Sequence, residues 1–304
     1  MMSALKRFWD NDLAWSWRHT PTAIFGTIIT LVLFIGAFGA PILAPHNPFD
    51  LASIDLFDAL LPPAWEEHGK FTYLLGTDSQ GRDLFSSLLY GTRISLLIGF
   101  ASVALAMFIG ILLGLLAGYA GGRVEAFIMR VADVQLSFPA ILIALLIDGV
   151  ARAMVPQHML DSISFPVLIG AIALAGWPQY ARTVRGSTMV EKNKEYIQAA
   201  KVIGISSTRI MLTHVLPNVM GPVLVLATVH LATAIITEAT LSFLGVGVPP
   251  TSPSLGTLIR VGNDFLFSGE WWITIFPGVM LVLLVLSVNL LGDWLRDALN
   301  PKLN

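Results

Sequence analysis

The ionisable residues that interrupt the apolar stretches of this 304-residue chain are its first candidates for chemistry. Arg130 and Asp133 stand three positions apart, a helical spacing at which opposite charges can neutralise one another. Asp148 and Glu238 fall near the ends of such stretches, where water can reach them, and His230 lies closest to the middle of one. A proton relay needs a chain of such groups, which the sequence does not show. The pattern favours a structural ion pair and a neutral histidine hydrogen-bonded to a neighbouring helix.

Three further kinds of chemistry lack the residues that they require. The chain has no cysteine, which excludes disulfides, thiolate metal sites and cysteine nucleophiles. It has no phosphate-binding loop, because Gly69-Lys70 is followed by phenylalanine rather than serine or threonine. A net charge of −2 argues against a nucleic-acid partner. We therefore expect no catalytic residue, no metal site and no cofactor bound by this chain.

One polar segment, residues 188–218, has the pattern of a helix–turn–helix. Apolar residues recur at helical spacing over 196–203, and Gly204 is a helix stop. The serines that follow can cap a second helix, which we expect over 210–216. The pattern leaves apolar residues on a surface that should be polar, and such patches usually mark a site for a partner.

The elements around this segment must span a membrane. The chain is 55% hydrophobic and 12% charged, whereas a soluble domain carries roughly 25% charged residues. A membrane helix needs about 20 mostly apolar residues. Six stretches meet this requirement, so we predict an all-α membrane protein with spans at 21–44, 94–120, 126–150, 165–185, 219–245 and 273–293.

The distribution of lysine and arginine predicts the orientation of these spans. Positive residues favour the cytoplasmic side of a membrane. With both termini inside, 13 of the 18 lysines and arginines fall in cytoplasmic segments. We therefore predict an N-in, C-in topology with six helices. The outer segments hold the other five, which are Lys70, Arg82, Arg93, Arg152 and Arg260.

The regions outside the spans divide the rest of the chain. Residues 1–20 carry Leu5, Phe8, Trp9, Leu13 and Trp17 at helical spacing, which is typical of an amphipathic helix on the cytoplasmic leaflet. Residues 45–93 form an acidic outer loop too long for a simple connector, and we expect a small ordered cap there. Residues 94–293 form the core, and 294–304 a cytoplasmic tail.

The second predicted span presents Gly110, Gly114 and Gly118 on one face. Helices without Cβ atoms at their contact approach closely in lipid. We expect this face to pack within the bundle, and an interface with another subunit is the alternative.

The segment 188–218 also resembles the signature of ABC importer permeases, written E-A-A, three residues, G, nine residues, I-x-L-P. Here Gln198-Ala199-Ala200 is followed after three residues by Gly204, and after nine more by His214-Val215-Leu216-Pro217. Gln198 and His214 depart from the general consensus. His followed by an aliphatic residue, Leu, Pro and Asn is similar to the dipeptide/oligopeptide branch.

Other stretches resemble the C-type subunits of the same branch. One runs from Leu75 to Asp83, a second follows the fifth span, and a third ends the chain with Asn300-Pro301. The resemblance assigns structural roles to Gly76, Thr77, Asp78, Gly81, Arg82, Asp83 and Glu238, beside the residues Gly110, Gly114, Gly118, Arg130 and Asp133 considered above.

The resemblance implies a type I ABC importer permease fold with a periplasmic loop domain after helix 1, in a bacterial inner membrane. It implies three kinds of protein partner besides the lipid bilayer: a second homologous permease, two cytoplasmic ABC ATPases that use ATP and Mg, and a periplasmic substrate-binding protein. The chain itself would not be an enzyme. The residues expected to couple it to the ATPases are Glu195, Tyr196, Gln198, Ala199, Ala200, Gly204, Arg209, His214, Leu216 and Pro217.

The resemblance also implies a pathway for di- or oligopeptides between two permeases. Few polar side chains are available to line it, and they are Thr228, His230, Thr233, Thr237, Ser287 and Asn289. Hydrogen bonding between helices is an equally simple role for them. Nickel, glutathione, opines and oligosaccharides are alternative substrates within the importer class. An ion-coupled secondary transporter would need inverted repeats and intramembrane charges, and we find no convincing repeat.

Overall fold

A computed structural model describes residues 12–50, 54–249 and 251–298. Within these ranges the chain is helical, and strand-like pairing is limited to one isolated bridge between Thr77 and Asp83. The helices are α1 Asp12–His19, α2 Pro21–Phe38, α3 Ala40–Leu43, α4 Leu84–Ala120, α5 Gly122–Leu136, α6 Ala140–Met154, α7 Leu160–Glu191, α8 Glu195–Val202, α9 Ser207–Phe243, α10 Leu255–Asn263 and α11 Trp272–Ala298.

Five of these helices, α2, α4, α7, α9 and α11, are long and apolar enough to cross a membrane. The third predicted span, 126–150, is not one helix, because α5 and α6 meet at an angle of 93°. Pro139 stands at the break and supplies the residue before α6. Proline disfavours helical backbone in the residue before it, which here is Phe138. The described residues therefore contain five spans, or six when the bent pair is counted as one.

Several boundaries differ from those predicted. Helix α4 begins at Leu84, inside the predicted outer loop 45–93, because the Asp83 carboxylate caps it by accepting the Ser86 N–H at 2.9 Å. Helix α2 stops at Phe38, and α3 continues the first span after Gly39. Of the five residues that predict an N-terminal amphipathic helix, Leu13 and Trp17 lie on α1, and Leu5, Phe8 and Trp9 lie outside the described residues. Trp17, on α1, donates its indole N–H to Thr27 on α2 at 2.9 Å.

The glycine face of α4 packs inside the bundle, as expected. A Cβ on Gly114 would lie 2.6 Å from the Ala181 carbonyl oxygen, and one on Gly118 would lie 2.7 Å from Thr188 Cβ. Both neighbours belong to α7, so the two helices touch backbone to backbone. The alternative, an interface with another subunit through this face, is wrong.

The loop before α4 is ordered by buried polar groups over residues 54–83. Thr77 is fully buried, accepting the Leu61 N–H at 2.8 Å and donating to the Asp58 carbonyl at 2.5 Å. The Asp78 carboxylate accepts the N–H groups of Gln80 and Arg82 at 2.8 and 2.9 Å. Gly76 and Gly81 have positive φ at the two turns. The glycines and acids of this stretch therefore have a structural role.

Candidate functional site

Helix α8 stands between two spans and ends at a left-handed glycine. Gly204 has φ +84°, and its N–H donates to the Lys201 carbonyl at 3.1 Å. The N–H of Ile205 donates to the Ala200 carbonyl at 3.1 Å. These two bonds form the Schellman arrangement that closes a helix C-terminus. Gly204 therefore ends the first helix of the segment, as its residue type predicts.

The inner side of the segment is anchored in the largest apolar core cluster. Ile197 and Ala200 from α8 are buried there, together with Ile210 and Val215 from the start of α9. They pack in the same cluster as Tyr180 of α7 and Leu115 of α4. A displacement of α8 must therefore move the ends of the spans to which it is packed.

A hydrogen-bond network holds the start of α8 against both neighbouring spans. The Tyr196 phenol donates to the Glu191 carboxylate at the end of α7 and accepts from the Asn218 amide on α9 at 3.1 Å. Lys194 pairs with the same carboxylate at 2.8 Å. Desolvation, followed by the hydrogen bond to Glu191, raises the pKa of Tyr196 to about 12, so the phenol remains a donor.

The outer side of the segment is exposed and partly apolar. Val202 and Ile203 are 87% and 74% exposed. Lys201 and Arg209 carry positive charge beside them, and both are exposed. Of the other residues predicted to couple, Glu195, Gln198 and Ala199 are exposed on α8. This combination of apolar side chains and charge fits a protein-docking surface.

The prediction of a separate second helix over 210–216 is wrong. The second half of the segment is instead continuous with the fifth span, as part of α9. Residues Met211–Val215 form a π-helical turn within α9, just before Pro217. Proline lacks an N–H and crowds the carbonyl four residues earlier, so a widened turn relieves the contact. Within this turn the His214 imidazole Nδ1 lies 2.7 Å from the Thr213 hydroxyl, and Leu216 is half-buried. The segment is thus continuous with α9, without a hinge loop between them.

Part of the polar set on α9 lines a small recess about 70 Å³ in volume. His230, Thr233 and Thr237 contribute to its wall. The imidazole Nε2 of His230 lies 2.5 Å from the Gln179 side-chain oxygen on α7, the interhelical bond that its position suggests. We call this cavity the midspan recess; its lining includes Ser102, Gly176, Gln179, His230, Thr233 and Thr237.

The other three candidate pathway residues lie elsewhere. Thr228 packs against α11, where a Cβ on Gly292 would lie 3.2 Å from its Cβ. Ser287 is fully buried and lies on the side of α11 that contacts α2. Asn289 is half-buried on α11 and does not line the midspan recess. Polarity alone did not reveal which side of each helix faces the recess.

The ionisable residues of the spans form contacts that differ from those predicted. Asp133 pairs with Arg182 on α7 at 2.5 Å rather than with Arg130. Asp148 is fully buried, not hydrated, and pairs with Arg152 at 2.5 Å. Arg152 also donates to the Gly247 carbonyl at 2.9 Å, which ties α6 to the connector after α9.

Glu238 is likewise fully buried rather than reached by water. Its carboxylate accepts hydrogen bonds from Ser95 on α4 and Ser242 on α9, both at 2.7 Å. The Ser95 hydroxyl also accepts the Leu255 N–H at 3.3 Å, at the start of α10. Glu238 therefore joins three helices at one end of the bundle.

Sequence reasoning did not predict the contacts of several residues. Gln179 and Ser102 complete the midspan recess, while Glu191 and Asn218 bind Tyr196. Gln179 could have been found, because it is a polar residue inside a predicted span. Ser102 could not, because a serine in a small-residue face gives no sign of a cavity.

Comparisons with known proteins agree with this geometry. Residues 110–304 match the family described as binding-protein-dependent transport system inner membrane component. The chain belongs to this family. Its membrane helices and its exposed segment between α7 and α9 are thus those of a transport permease component.

Relatives of this permease extend the similarity to nearly the whole chain. It is 40% identical to the di/tripeptide transport system permease protein DppC of Pseudomonas aeruginosa (strain UCBPP-PA14), over 99% of this chain and 93% of that protein. It is 39% identical to the dipeptide transport system permease protein DppC of Escherichia coli (strain K12), over 99% and 94%.

A solved structure shares the fold of this permease. It is the MetNI methionine ABC transporter in inward-facing conformations, with a TM-score of 0.55 and 21% sequence identity. The match covers 70% of this chain and 96% of the compared chain. At this identity the likeness concerns the helical arrangement alone.

Proposed function

We propose that this chain is one membrane-spanning subunit of an ATP-driven importer of di- and oligopeptides in a bacterial inner membrane. The observation that carries the proposal is the 40% identity, over 99% of the chain, to a protein named a di/tripeptide transport permease. The exposed face of α8 supports it independently, because a permease without an ATPase activity of its own needs such a docking surface.

In this proposal, residues 188–218 transmit the movement of two cytoplasmic ATPases to the spans. The exposed residues of α8 would contact an ATPase, and the buried residues Ile197 and Ala200 would carry the movement into the core. Arg209, His214, Leu216 and Pro217 would pass it along α9, whose backbone is continuous from Ser207 to Phe243. ATP and Mg belong to the ATPases in this scheme.

The substrate pathway would lie between this chain and a second, homologous permease, with a periplasmic binding protein delivering the peptide. Gln179 and Thr233 support this placement, because both are exposed on the outside of the bundle within membrane spans. Each side chain has hydrogen-bonding capacity beyond the bonds from Gln179 to His230 and from Thr233 to the Val229 carbonyl, and capacity left unused in hydrocarbon costs free energy. A face that carries such groups is therefore better covered by water or protein than by lipid.

The alternative substrates and the alternative class receive less support. The relatives compared above carry names that specify dipeptides or tripeptides, not nickel, glutathione, opines or oligosaccharides. An ion-coupled carrier needs a path of intramembrane charges. In the described spans, the carboxylates of Asp148 and Glu238 are instead bound to Arg152 and to serines.

Uptake into proteoliposomes tests the proposal. The chain is reconstituted with its partner permease, two ATPases and the binding protein, and labelled Ala-Ala, glutathione and Ni²⁺ are supplied outside. We expect accumulation of Ala-Ala with ATP inside the vesicles and none with ADP. Uptake without an ATPase, or uptake of glutathione or nickel but not Ala-Ala, would contradict it.

A further inference from the structure

A second cleft, separate from the midspan recess, opens in the angle between α5 and α6. The two helices meet at 93°, and together they are apolar enough to count as one membrane span. Phe127 and Val134 of α5, Phe138 at the break and Ile147 of α6 line this space, and Leu174 of α7 lines it as well. We call it the α5–α6 cleft.

The apolar side chains of this cleft are left uncovered by the described part of the chain. Phe127 is 71% exposed, Phe138 is 59% exposed and Val134 is 55% exposed. In water such a surface usually marks a site for a protein partner. Within a membrane span lipid can cover it instead, because acyl chains are as apolar as leucine. The walls of the cleft therefore suit an acyl chain.

One charged side chain, Arg130, also lines the cleft. The two acidic residues of its own helix are bound to α7: Glu125 accepts a hydrogen bond from Arg185 Nε at 2.6 Å, and Asp133 pairs with Arg182 at 2.5 Å. Among the residues that the structure describes, no carboxylate pairs with Arg130 and no group accepts a hydrogen bond from it. Arg130 therefore brings into a membrane span a positive charge that the described chain does not neutralise.

The other polar residue of the cleft has its hydrogen bonds within the protein. The Gln135 side-chain oxygen accepts the Trp177 indole N–H at 2.9 Å, and the Gln135 amide donates to the Leu174 carbonyl. The guanidinium of Arg130 has five N–H donors. A charge without a counter-charge is costly in hydrocarbon, so the cleft needs an anion beside its apolar walls.

The position of Arg130 places it within one leaflet of the membrane. It lies eight residues after Gly122, where α5 begins, and this distance is about 12 Å along a helix. Half of the hydrocarbon thickness is about 15 Å. The long side chain of an arginine at such a depth extends toward the headgroups. The anions present at that level are the phosphates of phospholipids.

We infer that the α5–α6 cleft binds one phospholipid. Its acyl chain lies against Phe127, Val134 and Phe138, and its phosphate accepts hydrogen bonds from the Arg130 guanidinium. The planar guanidinium can donate two parallel hydrogen bonds to phosphate oxygens, and basic pockets between membrane helices bind lipid headgroups. With the predicted orientation this lipid belongs to the cytoplasmic leaflet. The inference requires a membrane-embedded chain but does not depend on which substrate is transported.

The cleft lies on a different side of α7 from the face proposed for the second permease. Leu174 lines the cleft, whereas Gly176 lines the midspan recess. Positions two residues apart on a helix differ in direction by about 200°, so the two spaces lie on opposite sides of α7. A second permease packed against Gln179 and Thr233 would therefore leave the α5–α6 cleft to the bilayer.

Native mass spectrometry of the assembled, delipidated complex tests the role of the charge. The probes are dioleoyl phosphatidylglycerol and dioleoylglycerol, which share their acyl chains and differ in the phosphate headgroup. Arg130→Gln removes the charge from the cleft. The matched control is Arg123→Gln, which removes the same charge from an exposed position of the same helix that does not line the cleft.

We expect the native and Arg123→Gln complexes to bind the phosphatidylglycerol alike. Arg130→Gln should bind it about tenfold more weakly at one site per copy of this chain, the loss of one hydrogen-bonded charge contact. Dioleoylglycerol should bind all three complexes alike and more weakly than the phosphatidylglycerol binds the native complex. Equal phosphatidylglycerol binding by the two variants, equally tight binding of dioleoylglycerol to the native complex, or no lipid binding would overturn the inference.

A photoreactive probe identifies what occupies the cleft. Val134→Cys introduces a single thiol into this cysteine-free chain, and benzophenone maleimide attached there is irradiated in the assembled complex in nanodiscs of dioleoyl phosphatidylglycerol. We expect this chain to gain the mass of one lipid. Val202→Cys is the control, because it is exposed on α8, outside the spans, and should gain no lipid. A cross-link from position 134 to the second permease, or no lipid adduct there, would show that lipid does not fill the cleft and would contradict the inference.

Discussion

Gly204 offers a test of the coupling role proposed for residues 188–218. Its φ of +84° lies in the left-handed region, which costs an L-residue about 1–2 kcal/mol. Gly204→Val should therefore distort the end of α8 and abolish ATP-dependent uptake, while insertion of the spans continues. Gly204→Asn is the matched control, because asparagine tolerates this conformation, and it should retain most of the activity. Normal uptake by the valine variant would remove the coupling role of the segment.

Glu238 is the second residue whose surroundings give a definite expectation. Removing its carboxylate leaves the hydroxyls of Ser95 and Ser242 without their acceptor, at about 1–3 kcal/mol for each unsatisfied group. Glu238→Ala should therefore lower the melting temperature of the purified complex. Glu238→Gln keeps the volume and one acceptor oxygen, so its effect should be smaller. A melting temperature of the alanine variant equal to that of the native complex would show that the three-helix junction is held by packing alone.

These two residues also differ in how far their sequence predicts their role. The role of Gly204 could be predicted, because a glycine that follows a helical pattern commonly ends the helix. The role of Glu238 could not, because a carboxylate near the end of a span can either contact water or join a buried hydrogen-bond network. The distinction depends on Ser95, which stands 143 positions away in the chain. Pairings of that kind are set by tertiary structure and leave no local pattern.

At the scale of elements, the packing of α4 on α7 depends on glycines that allow the backbones to touch. A Cβ on Gly114 would lie 2.6 Å from the Ala181 carbonyl oxygen and 2.7 Å from Val184 Cβ. Neither atom can move without a shift of α7, because one is a backbone oxygen and the other is a Cβ fixed to the backbone. Gly114→Ala should therefore destabilise the protein by about 1–3 kcal/mol.

The matched control for that prediction is Gly186→Ala, also on a packed span, where an added Cβ meets nothing within 4 Å. Thermal unfolding in detergent, followed by tryptophan fluorescence, compares the two variants. Equal melting temperatures would mean that the helix pair can separate without loss, contrary to the close contact described.

The elements were largely predictable, with one instructive exception. Long apolar stretches specify spans, because lipid requires each to satisfy its own backbone. The stretch 126–150 satisfied the same rule on composition but breaks before Pro139, at an angle of 93°. Composition does not record the direction in which a helix continues after a proline. At Pro217 the prediction failed in the other direction, because a helix end was expected there. A π-helical turn over Met211–Val215 accommodates the proline, and the helix continues to Phe243.

The whole molecule must have one orientation in the membrane, and the predicted N-in, C-in topology is directly testable. The chain has no cysteine, so single cysteines can be introduced without further changes. Ser206→Cys, in the segment between α7 and α9, should react only with reagents that reach the cytoplasm. Ser268→Cys, between α10 and α11 and also exposed, should react from outside. The opposite labelling would reverse the topology and place the docking segment on the wrong side of the membrane.

The assembly as a whole sets the last expectation, which is that this chain transports nothing alone. Gln179 and Thr233, which line the midspan recess, are exposed, so the recess opens at the surface of the bundle and is not an enclosed lumen. The glycine face that would let another helix approach closely is already used between α4 and α7. The polar residues Gln179 and Thr233 instead face outward from the bundle. A second permease placed against that face would enclose the pathway that one subunit leaves open.

Proteoliposomes holding this chain and the ATPases should therefore show no ATP-dependent uptake of Ala-Ala, and adding the second permease should restore it. Uptake by this chain and the ATPases alone would show that two copies of it form the pathway.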